Sequence, residues 1–204
     1  MVKAKKSAVA TDEMIIEAAL SLAEEGHWDR LSLQEISDKA SLSLPELQKH
    51  FASKAGILDA FTRQISQKVL GDLPAHPDED DSPRDRLFET MMTRFEILQP
   101  YKGALKSILR NTRKQPAALL RHYPGLTQAM SQMLEASGIP SGGLIGIARI
   151  KGLSVVYGKA FAIWLRDDSA DMSKTMASLD KDLKLAEKLE ISISKSSFLR
   201  ACSK

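Results

Sequence analysis

From Asp12 to Leu189 the apolar residues return at steps of three and four, and no stretch alternates apolar with polar residues long enough to make a half-buried strand. That single periodicity predicts an all-α chain of about nine helices. The first helix follows Thr11 or Asp12 and ends near Gly26, with Ile15, Ala18, Ala19, Leu22 and Ala23 on one stripe. Asp12 and Glu13 suit the positive end of its dipole. Ser32-Leu33-Gln34-Glu35 has the form of a capping box and opens a second helix, 32–40, that buries Leu33, Ile36 and Ala40. Ser43-Leu44-Pro45-Glu46 repeats the box for a third helix, 44–51. Pro45 is tolerated in its first turn, Leu47 and Phe51 point inward, and Leu42 plugs the bend. Ser53 caps a fourth helix running to about Leu70, with Ile57, Leu58, Phe61, Ile65 and Val69 on one face.

Gly71 to Pro83 holds three prolines and the acidic run Asp78-Glu79-Asp80-Asp81, which marks a boundary between a domain at 1–70 and a larger one at 71–204. Beyond it, helices are expected from Ser82-Pro83 to Leu98, Tyr101 to Lys114, Ala117 to Ser137, Ser141 to Arg166 and Ala170 to Leu189. The Ser- and Lys-rich tail 190–204 is expected to fray.

An apolar fraction of 43% over 204 residues is enough for a sizeable core and excludes intrinsic disorder. The one cysteine, Cys202, can form neither an internal disulfide nor a Cys-based zinc site, which points to a reducing cytoplasm. No apolar run follows the basic start Met1 to Lys6, and Arg149, Lys151 and Lys159 interrupt the longest apolar stretch, so neither a signal peptide nor a membrane span is expected. His27, His50, His76 and His122 lack metal-ligand spacing. No nucleophile elbow is present, and Gly142-Gly143 with Gly146 lacks the Lys-Ser/Thr of a phosphate loop. The expectation is a protein with no catalytic residues, metal or cofactor.

Two short helices joined by a turn of about three residues, after a longer first helix, have the layout of a helix-turn-helix, in which the second helix of the pair enters the major groove of DNA. The run Ile16 to Trp28, then Leu31 to Ala40, Leu42-Ser43, Leu47, His50-Phe51 and Ser53-Lys54 resembles the N-terminal domain of the TetR family of transcriptional regulators over about residues 12–65. The resemblance implies a larger helical domain for ligand binding and dimerisation behind a DNA-reading one. It implies that Ser43, Lys49 and His50 face DNA and that Lys54 meets a phosphate; the full DNA-facing set is Ser32, Ser43, Leu44, Gln48, Lys49, His50 and Lys54. Pro45, Glu46 and Gln48 depart from the residues usual in the family's recognition helix. Gln48 can read adenine and Glu46 can accept from cytosine, although the capping box accounts for Glu46.

Residues 1–70 carry nine Lys/Arg against ten Asp/Glu, a net −1 out of the chain's +3. By that count the domain that resembles a DNA reader has little charge with which to neutralise phosphate. Lys102, Lys106, Arg110, Arg113/Lys114 and Arg121 instead form a basic stripe in a region free of acids, read as a solvated helix face. Met91, Phe95, Met130, Met133, Tyr157 and Phe161 could line a pocket for a small apolar ligand, since Met side chains adapt their shape. Helices 141–166 and 170–189, apolar and rich in small residues, suit a two-fold homodimer. The reading is a dimeric regulator of transcription, acting as a ligand-responsive repressor on a double-stranded operator. Its competitor is a TetR-fold accessory protein that binds lipids or isoprenoids without DNA, similar to a family serving ubiquinone biosynthesis.

Overall fold

The structure is a computed structural model that describes residues 2–26, 28–74, 81–111 and 124–202, with side chains placed over 10–26, 28–74, 81–110 and 125–190. The described residues are helical, with no strand among them. In order they form α1 (Val2–Glu25), α2 (Leu33–Lys39), α3 (Leu44–His50), α4 (Lys54–Asp72), α5 (Pro83–Leu98), a 3-10 turn (Gln99–Tyr101), α6 (Lys102–Asn111), α7 (Pro124–Ala136), α8 (Gly143–Trp164) and α9 (Ser173–Cys202).

Two boundaries differ from the sequence reading by more than a turn. Helix α1 begins at Val2 instead of Thr11 or Asp12, because Val2 to Ala10 contains no Gly or Pro to stop a helix and several good helix formers. Asp12 therefore lies mid-helix and not at a positive helix end. Helix α9 runs to Cys202, through the segment expected to fray, since no breaker follows Leu189. The predicted starts at Ala117 and the end at Lys114 lie outside the described residues, as do His27, His76 and His122.

The chain divides into two compact units. The first comprises Met1–Lys68 with Ile97–Ala129. In it α1 packs on α2 and on α6, and α2 packs on α3. Ile15, Ala19 and Ala23 of α1 are fully buried, as are Ile36, Leu47 and Ile57. Gly103 of α6 lies so close to the Glu24 carboxylate of α1 that a Cβ there would collide with it.

The exit from α2 decides how α3 is presented. The N–H of Leu42 donates to Ser37 O (2.9 Å) and that of Ser41 to Asp38 O (3.1 Å), the paired bonds of a Schellman ending. This ending requires a left-handed residue at Ser41, whose φ is +57°. Helix α7 ends in the same way at Ser137-Gly138-Ile139, but there a glycine (φ +79°) occupies the strained position. Ser41→Gly is thus expected to stabilise the protein by about 1 kcal/mol, read as a higher urea midpoint at unchanged slope; a lower midpoint would contradict the strain assigned to Ser41.

The second unit comprises Val69–Glu96 with Met130–Lys204. Its centre is aromatic. Phe95 of α5 stacks on Tyr157 of α8 (5.6 Å between centroids), Tyr157 on Phe161 (5.8 Å), and both phenylalanines lie against Trp164 (5.7 and 5.4 Å). Arg84 bridges from α5 to Asp180 of α9 (2.8 Å), and Arg86 Nε donates to Ser137 O (3.2 Å) at the end of α7. Helices α8 and α9 pack along one another, joined by Lys159 to Asp182 (2.7 Å) and Arg149 Nε to Glu190 (2.8 Å). Asp167, buried before α9, accepts from the N–H and hydroxyl of Thr175 (2.8 and 2.7 Å) and so satisfies an N–H of the first turn.

Candidate nucleic-acid interface

Both predicted capping boxes are present. The Ser32 N–H donates to Glu35 Oε2 (2.8 Å) and the Glu35 N–H to Ser32 Oγ (3.2 Å). The Ser43 N–H donates to Glu46 Oε2 (2.9 Å), the Ser43 hydroxyl donates to the same oxygen (2.5 Å), and the Glu46 N–H donates to Ser43 Oγ (3.4 Å). These bonds hold both carboxyls below their usual range. Ser32 and Ser43 are exposed but each hydroxyl proton is committed to a glutamate, so the serines shape the helix starts before they can serve DNA.

The remaining predicted residues divide in two. His50 Nδ1 lies 2.6 Å from Asp12 Oδ1, a tie from the end of α3 to the middle of α1. Lys54 donates from Nζ to Trp28 O (2.7 Å) and Asp29 O (3.3 Å) and stands 5.2 Å from the centre of the Trp28 ring, clamping the connection after α1. Burial pushes the Lys54 ammonium down in pKa, with Asp29 and Glu35 opposing the shift. Gln48 and Lys49 are exposed on α3 and make no side-chain hydrogen bond or ion pair among the described residues, while Leu44 is half-buried beside them. The sequence offered no sign of the ties through Asp12 and Trp28 O, because each joins residues more than twenty positions apart.

The charge count changes once residues are grouped by contact. Residues 97–129 belong with the helix-turn-helix and contain six Lys/Arg and no acid, so the first unit carries fifteen Lys/Arg against ten Asp/Glu, or +5. The second carries fourteen against sixteen, or −2. Lys106 and Arg110 of the basic stripe are exposed on α6 and Lys102 is half-exposed; Arg113, Lys114 and Arg121 lie outside the described residues. A linear cut near residue 70 groups this charge with the other unit.

In the second unit all six residues expected to line a ligand pocket are buried: Met91, Phe95, Met130, Met133, Tyr157 and Phe161. Arg94, buried among the aromatic residues, donates from Nε to the Tyr157 hydroxyl (3.3 Å). Leu144, Ile145, Ile147 and Val155 of α8 are exposed, and so are Leu185 and Leu189 of α9. Among the described residues no helix is long and apolar enough to cross a membrane, and no cluster of His, Cys, Asp or Glu could hold a metal ion.

A capped pair of short helices at a Schellman turn, braced by a longer helix and presenting the outer face of the second, has the layout of a helix-turn-helix. Residues 15–61 match the family model of bacterial regulatory proteins of the tetR family. That match spans α2, the turn after it and α3. Over 86% of its length the chain is similar in fold to a TetR transcriptional regulator from Nitrosomonas europaea ATCC 19718, 97% of which is covered, with a TM-score of 0.65 at 19% identity. It is similar in the same way to a TetR transcriptional regulator from Rhodococcus sp. RHA1 (TM-score 0.60, 19% identity, 86% and 94% covered). A tetR-family transcriptional regulator from Streptomyces coelicolor gives a TM-score of 0.56 at 16% identity, with 93% and 89% covered. No curated protein matches the chain.

Proposed function

We propose that the protein is a dimeric, cytoplasmic repressor that binds a partly palindromic operator through α3 and is released by a small apolar ligand. The observation that carries the reading is the outward, uncommitted face of α3 on a unit of charge +5. Two copies are needed because one seven-residue helix reads only a half-site. The exposed leucines, isoleucines and valine of α8 and α9 supply the apolar surface for pairing them.

The ligand would sit among Met91, Phe95, Met130, Met133, Tyr157 and Phe161. Helix α7 provides a route from that site. Its later residues Met130 and Met133 belong to the buried core of the second unit, while Gly125 at its start donates its N–H to Asp59 Oδ1 of α4 (2.6 Å) in the first. Tyr101, just after α5, meets Phe61 of α4 edge to face (5.0 Å). A ligand that reseats α5 or α7 would shift α4, and with it the spacing of the two α3 helices. It does so only if it binds the DNA-incompetent arrangement more tightly than the competent one.

The lipid-binding reading rests on the altered residues Pro45, Glu46 and Gln48, on an acidic N-terminal domain and on the basic stripe at 102–114. Grouped by contact the N-terminal unit is basic and includes the stripe, so charge supports DNA binding, while the capping box accounts for Glu46. Selection of genomic fragments by the full-length protein at low salt is expected to enrich a recurrent inverted repeat. Enrichment no better than that of total genomic DNA would sink the proposal.

A further inference from the structure

The DNA-facing set predicted from sequence is narrower in the folded unit. Glu35 and Glu46 are turned back onto their capping serines. Gln34 spends its amide on Asp38 Oδ1 (2.7 Å) and Ser37 Oγ (3.3 Å), and Lys39 faces Glu25 (3.4 Å). His50 is drawn to Asp12 and Lys54 to backbone carbonyls. Of the exposed polar side chains on α3, Gln48 and Lys49 make no hydrogen bond or ion pair among the described residues, although the Lys49 charge helps hold the Glu46 carboxyl down.

The two differ in what they can read. The Lys49 ammonium only donates, so it can serve a phosphate as well as a base. The Gln48 amide both donates and accepts. It matches the adenine edge in the major groove, where Oε1 accepts from N6–H2 and Nε2 donates to N7. Leu44 and Pro45 lie four and three residues before Gln48, on the same helix face, and offer that face only apolar surface. The complementary feature of a base pair is the thymine methyl. Glu46 could select cytosine, but its carboxylate is held by Ser43.

We infer that Gln48 is the base-selecting residue of α3 and that each operator half-site carries an adenine read by Gln48, with a thymine beside it against Leu44 and Pro45. This rests on the DNA-binding reading proposed above. The test is selection from a randomised duplex library with the full-length protein and with Gln48→Ala, Gln48→Arg and Lys49→Ala, each variant first matched to the parent in helicity and urea midpoint. The parent is expected to enrich one adenine with a neighbouring thymine in each half-site. Gln48→Ala should make that adenine position indifferent and weaken the selected site roughly 5- to 100-fold per half-site. Gln48→Arg should turn it to guanine, and Lys49→Ala should weaken binding while leaving the motif as it was. A parent motif that survives Gln48→Ala unchanged, or an adenine lost with Lys49→Ala, overturns the assignment while leaving DNA binding intact. A library in which the parent enriches no motif overturns the DNA-binding reading and this inference together.

Discussion

Gly152→Arg is expected to separate the proposed dimer into folded monomers and to weaken operator binding roughly a hundredfold or more. Gly152 lies on the outer stripe of α8 with Leu144, Ala148 and Val155, one to two turns apart. A Cβ built there meets nothing within 4 Å, so each chain has room for the new side chain. Replacing a helical glycine should even strengthen α8 by up to about 1 kcal/mol. In the proposed dimer the loss would fall on the surface between chains, where a glycine would permit close approach and an arginine would both fill space and bring charge into an apolar seam. Without the second chain, one α3 must hold DNA alone, and the avidity of two linked half-sites disappears. Sedimentation and operator titration check this. A variant that remains dimeric and keeps its affinity would place the seam elsewhere.

Asp167→Ala is expected to lower stability by roughly 2–4 kcal/mol, because it leaves the buried N–H and hydroxyl of Thr175 without an acceptor. Burial alone would raise the pKa of this carboxyl, but hydrogen bonds from Ser169 and Thr175 outweigh it and hold the group well below the usual range. The folded value thus lies below the unfolded value of about 3.9. Stability from Asp167 is then complete above about pH 4 and is lost as the pH falls toward the folded value. Urea unfolding of parent and variant should show the full gap at pH 7 and a narrowing gap toward pH 3. A gap that is absent, or equally wide at both, would contradict the role of the carboxylate.

The parts of the molecule written in local sequence were legible before any coordinates. Both capping boxes, the helix start at Ser53 and the short α2 and α3 depend on residues within four positions of each other, and all are present. What depends on distant pairs was not legible. Lys54 has the sequence context of a phosphate contact, yet it reaches back to Trp28 O, and His50 finds Asp12 across 38 positions. The charge argument failed for the same reason. Nothing near Lys102 or Arg110 tells that α6 packs on α1, so a boundary drawn by proline and acidic residues separates the basic stripe from the unit whose contacts it shares. Helix ends also went astray where no breaker stood, at Val2 and beyond Leu189, because periodicity signals burial and an exposed helix needs none.

Hydroxyl-radical footprinting of the full-length protein on its most enriched genomic fragment tests the central claim, that two α3 helices of one dimer read two half-sites. The account predicts two protected tracts on one face of the duplex, about 34–36 Å or a multiple of that apart from centre to centre, lost together with Gly152→Arg. Protection spread evenly along any sequence, or no protection at low salt, would contradict it.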